Sequence, residues 1–461
     1  MIIKQLDEKY QEYAGQEVEI KGWVRNHRIG KNISFLMIND GTCFTTVQVV
    51  YKELANLEAI KKLHIGSAVK ISGLLKDTSG KKQNYELEAQ TIEILANSEE
   101  DYPLQPKKHT REFLREIAHL RPRTNTFNAV FKIRSELSYA LHKFFNENNF
   151  LYVHTPIITG ADAEGAGEMF QVNTLDLKNI PMQDGEVDYS KEFFNKSVNL
   201  TVSGQLLAES FALAFQNVYT FGPTFRAENS NTTRHAAEFW MLEPEVAFAE
   251  LDDIISLSKE MLIDVIKHVL EKCTLELQFL NTLVEYDLIQ RLEDLVKANF
   301  IELDYQEAIK ILEQAVASGQ RFDNKVEYGI DLATEHERYL TDIKYQAPVY
   351  VKNYPKDIKA FYMRLNDDKQ TVAATDLLVP GIGELIGGSQ REERIDILKE
   401  LMAVHKLSEE EYDWYLELRK FGGVKHSGFG IGFERLVMYV TGIENIRDVL
   451  PFPRTVKNCK Y

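Results

Sequence analysis

The sequence predicts an α+β protein in which a small β-barrel at the N-terminus precedes a larger domain of mixed strands and helices. Three observations carry that expectation. Five short segments rich in β-branched and aromatic residues, separated by glycine turns, fall within the first 100 residues. Two strand-like runs flank a polar loop between Tyr219 and Glu245, and a glycine-alternating run enters a helix between His426 and Gly442. Amphipathic patterns of helical period occupy much of the remainder.

Bulk properties narrow the class of function. A chain of 461 residues, 44% hydrophobic and 27% charged, has room for two or three soluble domains. Its net charge of -16 excludes indiscriminate nucleic-acid binding, because phosphate neutralisation needs cations, so any RNA partner must meet a local basic patch. Cys43, Cys273 and Cys459 are too few and too scattered for a disulfide framework or a zinc site. No secretory signal and no apolar run near eighteen residues is present, so a cytoplasmic protein is expected.

In chain order, the pattern predicts strands at 18–24, 33–39, 45–51, 68–74 and 85–95, together an OB-type barrel over 1–100. The end of the first strand and the turn after it carry Lys21, Arg25, Arg28 and Lys31 with no acid, and Phe35 follows. It is either a solvated cationic turn beside a core phenylalanine or a face for single-stranded bases, whose stacking is worth about 1–3 kcal/mol each. Residues 101–125, with three prolines and the run Lys107-Lys108-His109-Thr110-Arg111, read as a hinge. A helix is expected at 126–148, then a strand that Pro156 confines to an edge or boundary.

The stretch YTFGPTFRAENSNTTRHAAEFWMLEPE is the centre of the second domain, 126–461. It is either an ordinary salt-bridged hairpin or a nucleotide site. In the second case Arg226 forks onto a phosphate, Glu228 accepts from an adenine amino group, and Phe239 lies against the purine. In HSGFGIGFER, Gly428, Gly430 and Gly432 leave one strand face bare, which serves either close packing on a helix or the approach of a planar ligand. Helical patterns over about 251–345 read as an insertion covering one side of a sheet.

The pairing of FRAE-loop-F with GFGIGFER resembles motifs 2 and 3 of class II aminoacyl-tRNA synthetases, and the 126–156 segment resembles motif 1. Class I signatures are absent. The resemblance implies a mainly antiparallel catalytic sheet flanked by helices, bent ATP, and a homodimer formed through motif 1. GWVRNHRIGKNISFLMINDG resembles the anticodon-binding domain of the aspartyl, asparaginyl and lysyl enzymes, which implies that Phe35 stacks on an anticodon base beside Arg25, Arg28 and Gln48. VSGQLLAE, AEGAGEMF and TRHAAEFWMLEPE resemble asparaginyl-tRNA synthetases, subclass IIb; aspartyl enzymes carry QSPQLxKQ, and Ala208 stands where their lysine would.

That family implies roles for individual residues. Arg226 and Arg435 would be catalytic, and ATP would be held by Arg226, Glu228, Arg234, His235, Phe239, Gly430, Gly432, Glu434 and Arg435. Glu164, Ser203, Gln205, Glu243, Glu245 and Arg391 would bind L-asparagine, with Glu164 on a loop closing over its α-ammonium. Glu384, with Asp376 as a second acid, would ligate Mg²⁺ bridging ATP phosphates. The expected reaction is asparagine activation by ATP and transfer to tRNA(Asn), releasing pyrophosphate and AMP. Three rivals stay open at this stage: an aspartyl-tRNA synthetase, an amidating relative that makes free asparagine, and a catalytically silent RNA-binding paralogue.

Overall fold

A computed structural model describes residues 1–79, 83–161 and 169–461, and the chain divides into two compact units, 1–129 and 130–461.

In the first unit the strands Glu17–Arg28, Ser34–Asn39, Val47–Tyr51, Tyr85–Ala96 and Ala68–Asp77 close, in that spatial order, into a five-stranded barrel. The closure follows from alternation: Val18, Ile20, Val24, Leu36, Ile38, Val47, Val49, Val69, Ile71 and Leu87 point inward and are buried, while their neighbours face out. The barrel is as expected, but a helix that the strand pattern did not include, Ile3–Tyr13, precedes it. Ile3 and Leu6 are buried in the barrel's core cluster, with Tyr10 and Tyr13 packed against it. Their spacing is helical, so the signal was present in the sequence. A second, four-residue helix, Leu57–Ile60, contributes Ile60 to the same core.

The second unit is built on an eight-stranded sheet whose interior pairs are antiparallel, with one parallel pair at each edge. The spatial order is Ile301–Asp304, Val349–Pro355, Thr371–Val379, Gly383–Gln390, His426–Gly432, Glu238–Ala247, Asn217–Phe225 and Leu151–Tyr152. The strand before Pro156 shrinks to Leu151–Tyr152 and sits at the edge, as a missing N–H donor requires. The helix ahead of it runs Asn125–Glu147 and buries Val130, Ile133, Leu137, Leu141 and Phe145 on one stripe.

The segment 251–345 is mainly helical, opening with Leu251–Lys272, whose N-terminus carries a reciprocal cap between Glu250 and Asp253. Its Met261, Leu262, Val265, Ile266 and Val269 are fully buried, and the helix packs on the central strands. It is more than a cover, because Ile301–Asp304 extends the sheet itself. Within the Gly383–Gln390 strand Gly388 faces the Leu251–Lys272 helix, its Cβ position 3.2 Å from Ile254, while Gly387 faces the other way, toward Glu384 and Asp376, and the cleft lies on that side.

Candidate active site

The Asn217–Phe225 and Glu238–Ala247 strands pair over their whole length, Thr224 opposite Phe239 and Thr220 opposite Glu243. The polar loop between them therefore leaves and re-enters the sheet at one point. Arg226, just past the first strand, is fixed by its N–H to the Ala237 carbonyl at 3.0 Å, and its guanidinium carbon lies 5.5 Å from the centre of the Phe239 ring. Glu228 and His235 face each other across the loop at 3.8 Å. Arg234 donates to Thr334 Oγ1 at 3.0 Å. Opposite, the His426–Gly432 strand pairs with Glu238–Ala247 and leads into the helix Phe433–Thr441. Arg226, Glu228, Arg234, His235, Phe239, Glu384, Gly430, Gly432 and Arg435 line one cleft.

Two neighbours at the start of that last helix part company. Arg435 turns into the cleft, its Nη1 donating to Glu384 Oε2 at 3.0 Å. Glu434 is 1% exposed and its oxygens are taken by Arg134 Nη2 at 2.7 Å and the Trp240 N–H at 2.9 Å. Successive residues on a helix point about 100° apart. Glu434 lies along the wall of this cleft, and its carboxylate clamps the sheet to the Asn125–Glu147 helix.

A second cleft adjoins the first and shares Met241, Glu384 and Gly430 with it. It is lined by Ser203, Gln205, Glu243, Glu245, Asp376 and Arg391. Glu243 accepts from Ser203 Oγ, from the Gly204 N–H at 2.9 Å and from Thr220 Oγ1 at 3.2 Å. Glu245 and Arg391 form a two-pronged ion pair, fully enclosed, with Arg391 Nη1 also donating to Ser389 Oγ at 2.6 Å. Burial works against the Arg391 charge, and Glu245 more than restores it. Ala208, where the aspartyl pattern has lysine, does not line this cleft but is wholly buried against Val153, Ala212 and Val218. The neutrality of the pocket cannot be assigned to that position alone.

Between the clefts stand two carboxylates. Asp376 pairs with Lys359 at 2.8 Å, and Glu384 pairs with Arg435. Burial pushes both toward the neutral form; Arg435 and Lys359 outweigh it at Glu384, which stays below its usual range, while Asp376 is raised despite Lys359. A Cβ built on Gly387 would stand 3.2 Å from Glu384 Oε1 and 3.3 Å from Asp376 Oδ1. The bare glycine leaves room where the two carboxylates converge, which suits a hard cation that takes one or two carboxylates and completes its shell with water and phosphate. Among the described residues no group of three His, Cys, Asp or Glu side chains could hold a metal alone.

Residues 110–456 match the family model for class II tRNA synthetases (D, K and N), and residues 18–95 match that for the OB-fold nucleic acid binding domain. The asparagine-tRNA ligase of Bacillus cereus is 58% identical over 462 residues, covering 100% of this chain and 99% of its own. The chain belongs to the asparagine-tRNA ligase family. The ligase of Alkaliphilus metalliredigens is 56% identical with the same coverage. The asparaginyl-tRNA synthetase of Pyrococcus horikoshii, solved with asparaginyl-adenylate, superposes with a TM-score of 0.85 at 32% identity over 97% of each chain.

Sequence reasoning within that family missed Lys359, Glu337 and Glu209. Glu337, on the short helix Thr334–Arg338, accepts the Glu384 N–H at 3.1 Å and is pushed up to about 8 by burial and by the neighbouring Glu384 charge. Nothing in their local sequence separates Lys359 and Glu337 from ordinary surface charges; Glu209 closes the stretch VSGQLLAE, but nothing there names its partners. Glu164 lies outside the described residues. In the barrel, Arg28, Phe35 and Gln48 share one outward face through the pairs Arg28–Phe35 and Met37–Gln48. Arg25 is not among them: it sits at a bulge, and its guanidinium donates to the Arg123 carbonyl. No helix among the described residues is long and apolar enough to cross a membrane.

Proposed function

We propose that the chain activates L-asparagine with ATP to asparaginyl-AMP and pyrophosphate, and transfers the asparaginyl group to tRNA(Asn) with release of AMP. The observation that carries this proposal is the shared wall of the two clefts at Met241, Glu384 and Gly430. A nucleotide in the first cleft and an amino acid in the second would meet there, α-phosphorus against α-carboxylate. The adenine would lie against Phe239 with Glu228 accepting from its amino group, and Arg226, Arg435, Arg234 and His235 would hold the phosphates. Ser203, Gln205, Glu243, Glu245 and Arg391 would hold asparagine.

No protein nucleophile is needed. A carboxylate oxygen of asparagine attacks the α-phosphorus, the bond to the bridging oxygen breaks, and pyrophosphate leaves in line. Arg226 and Arg435, fixed before the reaction, spread the charge that develops on the phosphoryl oxygens. Asp376 and Glu384 would hold Mg²⁺, which when bound supplies charge neutralisation on the phosphates. A terminal ribose hydroxyl of the tRNA then attacks the adenylate carbonyl and AMP departs. Within the barrel unit, about 1–100, the face of Arg28, Phe35 and Gln48 would receive the anticodon. The chain would act in the cytoplasm as a homodimer, for which half-exposed Tyr139 on the helix, Leu151 and Tyr152 on the edge strand and Ile157 just beyond Pro156 are supporting features.

The test is ATP-pyrophosphate exchange with asparagine and with aspartate in parallel, with magnesium and without tRNA. Exchange with asparagine alone is expected. Exchange with aspartate alone would overturn the pocket assignment, and silence with both would overturn the catalytic one.

A further inference from the structure

Behind the proposed asparagine pocket lies a carboxylate that no step of the reaction uses. Glu209, on the helix Gln205–Phe215, is 0% exposed and gathers five hydrogen bonds. Its Oε1 accepts from Gln205 Nε2 at 3.1 Å, and Tyr415 Oη lies 2.9 Å from each of its oxygens. Its Oε2 also accepts from Arg419 Nη2 at 2.7 Å and meets His426 Nε2 at 2.9 Å. Burial of this kind destabilises a carboxylate unless charge and hydrogen bonds compensate, so four partners making five contacts with one group mark a committed arrangement.

The partners lead to both walls of the pocket. On one side, Gln205 is the next turn of the same helix, at i and i+4, so Glu209 fixes the direction in which its amide points. On the other side two links converge on Arg391. The His426 carbonyl accepts the Arg391 N–H at 2.8 Å, and Arg419 Nε donates at 3.0 Å to the carbonyl of Glu392, the next residue. We propose that Glu209 is a positioning residue for the amino-acid pocket, tying Gln205 on one wall to the backbone on both sides of Arg391 on the other. The inference rests on the assignment of Gln205 and Arg391 to asparagine. In keeping with it, burial disfavours the Glu209 charge but Arg419 and His426 hold its carboxyl well below the usual range, so the tie is ionised at working pH.

A purely structural carboxylate would lower stability and affect both substrates alike; a positioning one acts on asparagine. Steady-state ATP-pyrophosphate exchange with the full chain, varying asparagine and ATP separately, distinguishes them for Glu209→Gln, Gln205→Leu and the double variant. Loss of the charged tie is expected to raise the asparagine KM about tenfold or more. The ATP KM should stay within about twofold, and the double variant should fall well short of the product of the two single effects, because either change removes the Gln205 arm of the tie while Glu209→Gln alone also loosens the arm to Arg391. A folded Glu209→Gln protein with wild-type asparagine KM, equal rises in both KM values, or multiplying effects in the double variant would overturn the proposal. An unchanged asparagine KM in Gln205→Leu alone would instead overturn the pocket assignment. If Glu209→Gln does not fold, Glu209→Asp keeps the charge with Arg419 but withdraws the oxygen from Gln205. The same asparagine-specific rise is then expected, and its absence refutes the tie.

Discussion

Adding one methyl group at Gly428 tests the geometry of the second cleft most directly. Gly428 stands opposite Glu245 in the sheet, and a Cβ there would overlap all three terminal atoms of the Glu245 side chain. That carboxylate is 0% exposed, and both of its oxygens are engaged by Arg391. It has no solvent to retreat into, so Gly428→Ala must push it out of register with the guanidinium. Breaking a buried ion pair outright costs about 3–5 kcal/mol, and a displacement of about 1 Å in a positioning group costs about 10²-fold in rate. The expected result is a fall of about 10²-fold in kcat/KM for asparagine, equivalent to about 3 kcal/mol. Exchange kinetics with each substrate varied in turn, beside a thermal melt, give the readout. The ATP KM is the internal control, since neither Gly428 nor Glu245 lines the first cleft. A folded variant whose asparagine kcat/KM stays near wild type would show that the Glu245–Arg391 pair does not set the pocket.

Three further outcomes are expected. Arg226→Ala should lower adenylate formation by at least about 10²-fold, while the far-UV spectrum and melting temperature stay close to wild type, because the removed group supports developing charge. Normal exchange in that variant would refute its catalytic role. Phe35→Ala should weaken tRNA charging about tenfold through the loss of one stacking platform, and leave exchange without tRNA intact; equal loss of both would refute a separate anticodon face. Removing divalent cations with a chelator should abolish exchange, Mg²⁺ should restore it, and Glu384→Gln should raise the Mg²⁺ concentration needed. Activity that survives exhaustive chelation would remove Asp376 and Glu384 from that role.

What the sequence could and could not disclose divides along physical lines. The barrel strands were legible because alternation with period two reports burial directly, and Val18, Ile20, Leu36, Ile38, Val47 and Val49 are all inside. The initial helix was legible too, at Ile3, Leu6, Tyr10 and Tyr13, and a reading fixed on strands passed over it. Local motifs brought the residues of the first cleft to one place, since their spacing sets where each leaves the sheet. Glu434 shows what that logic leaves out: it lines the first cleft beside Arg435, but its carboxylate is turned toward Arg134, a partner the motif does not contain. Glu209 lies more than 200 residues from Tyr415, Arg419 and His426, and only the packing of a helix against two later elements joins them. Lys359, just past the turn Lys356–Ile358, is likewise defined by Asp376 on the next strand and by the Tyr354 ring 3.9 Å from its ammonium.

The same long-range pairings change the account of how an amide would be told from a carboxylate. Ala208 stands where the aspartyl pattern has its lysine, yet it is buried among apolar side chains, and its part is to supply no cation. The charges that line the pocket settle the sign. Arg391 is matched by Glu245, Lys359 by Asp376 and Arg435 by Glu384, which leaves Glu243 as the carboxylate of the second cleft whose donors are neutral: Ser203, Gly204 and Thr220. A side-chain carboxylate set about 4 Å from it would be repelled by about 4 kcal/mol at an effective dielectric of 20, close to a 10³-fold preference. An amide in the same place donates a hydrogen bond to Glu243 instead. On the proposed assignment, selectivity for asparagine comes from an unmatched negative charge held in place by three neutral donors, and Ala208 matters because a lysine reaching past it would cancel that charge.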